Sequence, residues 1–123
     1  MILVDTSLWI DHLRGVDSPL LNLLASDLIC IHPWIIGELA CGNLKNRQEI
    51  LSLLNDLPSC PAANEAEVLY FIDQHQLMGR GIGYIDVHLL AASIINDAQI
   101  WTRDKRLLAI ADTLGIAYVP KNH

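Results

Sequence analysis

Apolar residues along the chain fall into short blocks of two kinds, and their alternation predicts a series of strands and helices. Ile2-Leu3-Val4 is a continuous apolar run of strand length that ends at Asp5. Leu8, Trp9, Ile10 and Leu13 then recur at helical spacing, with Gly15 placed as the stop just past the last of them. Ser18 and Pro19 make an N-cap and first-turn pair ahead of "LLNLLA", and "LICI" is the next strand-like run. Pro33 opens "PWIIGELACG", a helix with apolar residues on nearly every side, a pattern that predicts burial.

From Gln48 to Leu57 the apolar residues sit at 50, 51, 53, 54 and 57, an amphipathic helix stopped by Pro58. A third strand around "SCPAA" is weakly signalled. Asn64 with Glu67 three residues on has the form of a capping box, and Val68, Phe71, Ile72 and His75 continue one stripe until "MGRGIG". A helix containing Asp86 follows, then strand-like "AQIWT", a helix over "DKRLLAIADTLG" and a last strand, "IAYV", before Pro120. Repeated alternation with short loops predicts a parallel sheet covered on both faces.

At 123 residues, 52% of them hydrophobic and 18% charged, the chain reads as one globular domain over 1–123. No apolar run approaches the roughly 20 residues needed to span a bilayer, and the start lacks a secretory pattern, so a cytoplasmic protein with no membrane partner is expected. Cys30, Cys41 and Cys60 are odd in number and widely spaced, which favours reduced thiols in or near the core over a disulfide framework or zinc ribbon. The five histidines lack metal-ligand spacing.

"GYIDVHLLAAS" raises the chemical question. Asp86 stands in it between Ile85 and Val87, and an ionised carboxylate in apolar surroundings is costly unless paired, hydrogen-bonded or bound to a metal. "ILVDTS" and "IWTRD" each put an acid and a hydroxyl residue at the C-terminal end of a strand, the edge where open parallel sheets bind ligands. Asp5 and Asp104 also read as plain helix N-caps. Glu38 shares its helical face with Trp34, Ile35, Cys41 and Gly42, so it is expected to point into apolar company and to need a partner, a salt-bridging arginine being the structural alternative. For Asp86 the alternative is stabilisation by the helix dipole.

Taken together, Asp5, Glu38, Asp86 and Asp104 suit another explanation. Four close carboxylates repel unless a divalent cation lies between them, and an all-oxygen set suits Mg2+ or Mn2+ better than Zn2+. Such a site suits phosphodiester hydrolysis, with one metal, or two about 3.5–4 Å apart, activating water and stabilising the leaving oxygen. Thr6, Ser7 and Thr102 are candidate supporting hydroxyls.

The motifs "LVDTSLWIDHLRG", "IGELACG", "GRGIGYIDVHLLAAS" and "WTRDKRL", in that order and over nearly the whole chain, resemble the PIN-domain endoribonucleases, specifically the VapC toxins of bacterial toxin–antitoxin pairs. The resemblance carries over to Asp5, Glu38, Asp86 and Asp104 as catalytic and metal-binding acids, with Ser7 and Thr102 as polar helpers. It implies a three-layer α/β/α fold with a parallel sheet of four to five strands, and Mg2+- or Mn2+-dependent RNA cleavage. It further implies homodimerisation, inhibition by a VapB-type antitoxin whose tail enters the active-site groove, and operator DNA contact only through that antitoxin. The choice of RNA over DNA leans on this resemblance, because hydroxide attack does not use the 2′-hydroxyl.

Other features have competing readings. Glycines 79, 81 and 83 are spaced GxGxG with no preceding strand, which favours a mobile loop leading to Asp86 over a dinucleotide site. Arg80 in that loop, and Arg103, Lys105 and Arg106 around Asp104, are candidate phosphate contacts or ordinary surface charges. Trp9 and Trp34 read as core before base-stacking platforms, with Trp9 also placed to line an antitoxin groove. The net charge of −6 argues against a surface that attracts nucleic acid everywhere, and it is the best support for a catalytically inactive interaction domain. A phosphoacceptor signalling module fits poorly: Val4 precedes a single Asp5, Asp56 sits in an amphipathic helix, and Lys121 lies in the tail.

Overall fold

Strand β1 (Ile2–Val4) is buried at every position. Successive strand side chains point to opposite faces, so both faces of the sheet are covered here. The computed structural model, which describes residues 1–15 and 19–120, places β1 between two parallel neighbours, β2 (Ile29–Cys30) and β3 (Gln99–Trp101). Ile2 stands opposite Ile29 and Gln99, and Val4 opposite Trp101.

The sheet has three strands rather than four to five. The segments expected as a third and a last strand each make one parallel bridge, Ile31 with Ser59 and Ile100 with Ala117. Ile31 N donates to Pro58 O and Cys60 N to Ile31 O, both at 2.8 Å, and Ile100 exchanges the same pair of bonds with Ile116 and Tyr118. Pro58 stands where the first ladder would need its preceding N–H and Pro120 where the second would need its next one; proline offers none, so neither ladder extends in that direction.

Helices α1 (Thr6–Leu13), α2 (Leu20–Ala25), α3 (Pro33–Ala40) and α4 (Arg47–Asn55) form one packed group, with α1 against α2 and α3 and α3 against α4. In the second half, α5 (Glu65–His75) packs on α6 (Tyr84–Ile95), which lies on β3, and α7 (Lys105–Thr113) follows. Local signals set several ends. Asn64 and Glu67 close the expected capping box at 2.8 and 3.0 Å, and Gly15 and Gly115 take left-handed φ of 80° and 74° just past α1 and α7. Pro19 directly precedes α2; the expected cap Ser18 lies outside the described residues, as do Asp17 and Lys121.

Two burial expectations need correction. Helix α3 buries only Ile35 and Leu39, four residues apart on one stripe, while Gly37, Glu38 and Cys41 are exposed. Its apolar residues exceed what its contacts with α1 and α4 cover. Accordingly Cys41 is a surface thiol, whereas Cys30 and Cys60 are buried. Helix α6 is the deeply buried one, with Val87 to Ser93 all inaccessible. Among the described residues no helix is long and apolar enough to cross a membrane.

Candidate active site

The parallel pairing of β1 with β3 brings two sequence-distant acids to one edge. Asp5 N donates to Trp101 O at 2.9 Å, which ties the residue after β1 to the end of β3. Asp5 then accepts from Thr6 N at 2.8 Å through Oδ1 and from Thr102 Oγ1 at 2.7 Å through Oδ2. The buried Thr102 hydroxyl in turn accepts from Asp104 N at 3.1 Å, and Asp104 Oδ1 accepts from Leu107 N at 2.9 Å. Thr102 therefore couples Asp5 to Asp104. Both acids do act as helix N-caps, of α1 and α7, and the capping fixes where they stand.

Glu38 joins from α3, the helix after β2: its Oε1 accepts from Thr6 Oγ1 at 2.9 Å. The salt-bridging arginine is not found among the described residues, and the Glu38 side chain is not enclosed in apolar company, because it lies on the exposed side of α3. Asp86 comes from α6. It is the third residue of that helix, and its Oδ2 accepts from Gly83 N at 3.4 Å. Half-buried, its carboxyl is held above the usual carboxylate range, first by burial and then by the charges of Asp5, Asp104 and Glu38, against the opposing Gly83 N–H. Its neighbours are the other three acids. Yet among the described residues no three His, Cys, Asp or Glu side chains stand close enough together to hold a metal ion as they are.

The candidate helpers divide. Thr6 and Thr102 make the bonds given above, whereas Ser7 is exposed and its hydroxyl makes no hydrogen bond among the described residues. Arg103 is ion-paired with Asp11 of α1. Arg80 is exposed, with only its backbone N–H engaged, to Leu77 O. Arg106 covers the glycine loop: its Nη1 reaches Gly81 O at 3.5 Å, and a methyl group added to Gly81, where φ is +79°, would lie 2.5 Å from that nitrogen.

Two residues on from Asp86, His88 belongs to a ring cluster whose histidines the sequence reading did not single out. Trp34 lies over His88 with ring centroids 3.9 Å apart, and Tyr84 meets His88 edge-on at 4.7 Å. His32 accepts from Trp34 N at 3.0 Å through Nδ1, which places its own proton on Nε2 and favours the neutral ring. Burial, with the His88 charge second, pushes the His32 imidazole down to about 4, and burial lowers His88 as well. Histidines two residues after Asp86 and one before Pro33 were the available signal. Trp34 spends its face on His88, and Trp9 is buried in the core beside a small apolar groove with Leu13, Leu24 and Leu54.

A parallel sheet between helices, with acids delivered to the carboxyl ends of its strands, defines the PIN-like α/β class. No family model matches the chain. It is 45% identical over 118 residues to ribonuclease VapC32 of two Mycobacterium tuberculosis strains, CDC 1551/Oshkosh and H37Rv, covering 95% of each chain. In fold it is similar to a chain of FitAB bound to the IR36 DNA fragment (TM-score 0.65, 18% identity, all of both chains) and to FitAcB from Neisseria gonorrhoeae (TM-score 0.63, 19% identity, 91% and 94% covered). The chain belongs to the VapC ribonuclease family of PIN-domain proteins.

Proposed function

We propose that this protein is the toxin of a type II toxin–antitoxin pair, a Mg2+- or Mn2+-dependent endoribonuclease that hydrolyses RNA phosphodiester bonds through Asp5, Glu38, Asp86 and Asp104. The observation that carries the reading is the convergence of the acids: Thr102 links Asp5 to Asp104, Thr6 links the residue after Asp5 to Glu38, and the Asp86 carboxyl, raised first by burial, is raised further by the charges of the other three. Four carboxylates without a histidine or thiol among them fit a hard divalent cation. Such a cation, held by these four residues, supplies Lewis acidity toward water and the scissile phosphate. Thr102 and Thr6 keep the acids oriented, since each hydroxyl spends its proton on a carboxylate oxygen. Gly83 N–H holds Asp86 at the head of α6.

The kinship with a ribonuclease VapC supports RNA as substrate and a VapB-type antitoxin as partner, with operator DNA reached only through that antitoxin. Exposed Leu69 and Tyr70 on α5 and Tyr84 and Ile85 on α6 support a homodimer, measurable by light scattering. The rival reading is a catalytically inactive PIN-like interaction domain, favoured by the acids not standing ready-grouped for an ion. Calorimetric titration separates the two. Mn2+ binding, with RNA cleavage lost in Asp5→Asn, Glu38→Gln, Asp86→Asn and Asp104→Asn and kept in Asp112→Asn, supports the nuclease. Full cleavage in EDTA or in any of the four variants overturns it.

A further inference from the structure

We propose that a pocket beside Glu38 receives one nucleotide of the RNA strand next to the cut, and so sets which sequences are cleaved; the assignment rests on the ribonuclease reading. The pocket holds about 520 Å3, within the range of ligand sites and sufficient for one nucleotide. Of the four acids Glu38 stands in its wall, and the Thr6 hydroxyl that bonds Glu38 follows directly on Asp5. On α1 the row Thr6, Ile10, Arg14 repeats every four residues and leads from the Thr6–Glu38 bond into the pocket, a path of about 12 Å.

The walls suit the two ends of a nucleotide. Ile10, Leu13, Leu39 and Ile50 give aliphatic surface for the flat face of a base. Arg14 and Lys45 are exposed at the rim, and neither is ion-paired among the described residues, unlike Arg103. Two unspent cations beside an apolar recess complement a phosphate beside a base. The rim is also held in shape: Arg47 donates to Ala40 O at 2.6 Å and Gly42 O at 3.4 Å, bracing the turn between α3 and α4. Asn46 in that turn adopts a left-handed φ of 53° and makes no capping bond with its side chain, which leaves its amide for a base edge.

The test is steady-state cleavage of a fluorescein-labelled single-stranded RNA pool in Mg2+ across about 50–200 mM salt, with sequencing of the cut ends. Arg14→Gln with Lys45→Gln, both surface changes, should raise KM about tenfold while kcat stays within about twofold; the log–log salt dependence should become shallower by about 1.4. Asn46→Gly keeps the left-handed backbone and removes the amide, and it should change the base found beside the cut. An active enzyme whose variants match the parent in KM, salt slope and cut-end pattern overturns the assignment. So does a result in which those values hold while the variants lose capture of a co-expressed antitoxin, since the pocket then serves a protein. A parent chain that neither binds nor cuts the RNA overturns the ribonuclease reading itself, a distinct failure.

Discussion

Thr102→Val replaces a hydroxyl with a methyl of nearly the same shape at a buried position where one oxygen serves two acids. The donor to Asp5 Oδ2 at 2.7 Å and the acceptor for Asp104 N at 3.1 Å are lost together. A hydrogen bond to a charged group contributes about 1.5–3 kcal/mol and a neutral one about 0.5–1.5 kcal/mol. Asp5 is only half-buried and regains some hydration, so the lower part of each range applies and the sum is about 2–3 kcal/mol. Thr6→Val breaks the more exposed bond to Glu38 and should cost only about 0.5 kcal/mol. Urea unfolding measures both, provided the slope with denaturant stays constant. Cleavage should fall in both variants, with Thr102→Ser recovering most of the loss. A Thr102→Val protein within about 0.5 kcal/mol of the parent, or no less stable than Thr6→Val, would refute the claim that this hydroxyl joins the two acids.

Three further outcomes follow from single groups. The unfolded chain takes up a proton on His32 near pH 6.5 while the folded protein resists until about pH 4, so His32 contributes stability above that window and loses about 3 kcal/mol of it on acidification. His32→Asn, which keeps a capping acceptor, should flatten the stability–pH curve between those values; an unchanged slope contradicts it. Asp86 has the opposite sign: its folded carboxyl prefers the proton more than the unfolded chain's does, so ionisation destabilises the metal-free fold, and Asp86→Asn should raise the metal-free melting temperature at neutral pH. A lower melting temperature would sink that. Gly81→Ala forces a side chain into φ +79° against Arg106 and should cost about 1 kcal/mol, with Arg106→Ala relieving the clash but not the backbone cost, as unfolding of both variants will reveal.

What was readable in the sequence was local. Ile2 to Val4, the Asn64–Glu67 box and the glycines after α1 and α7 declare themselves within a few residues, and each forms as expected. The two lost strands show where local reading fails. "SCPAA" and "IAYV" have strand-like composition, but their ladders stop at prolines whose effect depends on which neighbour needs the missing N–H. Glu38 failed for a different reason. A helical wheel names the residues on its own face, whereas exposure depends on what packs against that face, and here Ile35 and Leu39 are buried, Ile36 packs in part and Glu38 is left outside. The bonds that shape the site span 32 residues between Thr6 and Glu38 and 97 between Thr102 and Asp5, so only the fold reveals them. Cap and site proved compatible readings of Asp5 and Asp104, since the cap geometry aims the acids.

The hydrogen bonding of the acids also makes the site asymmetric. Asp5 accepts two bonds, of 2.7 and 2.8 Å, and Glu38 and Asp104 each accept one at 2.9 Å, while the Asp86 bond to Gly83 N is long at 3.4 Å. Asp86 is thus the acid with the weakest support from neighbours and the one whose carboxyl burial drives toward the proton. If the four gather a divalent cation as proposed, it would have to displace that proton wherever Asp86 carries it, because ligand carboxylates bind as anions. On that reading Mn2+ binding should release protons on the acid side of the Asp86 titration and cease to do so as the pH rises past it, with affinity climbing over the same interval. Calorimetry in two buffers of different ionisation enthalpy counts those protons. Asp86→Asn should abolish the pH-dependent release even if residual binding persists. Equal proton release in acid and at neutral pH, or a release that survives in Asp86→Asn, would move the coupling to another group and undo the assignment of Asp86 as the acid that gates cation entry.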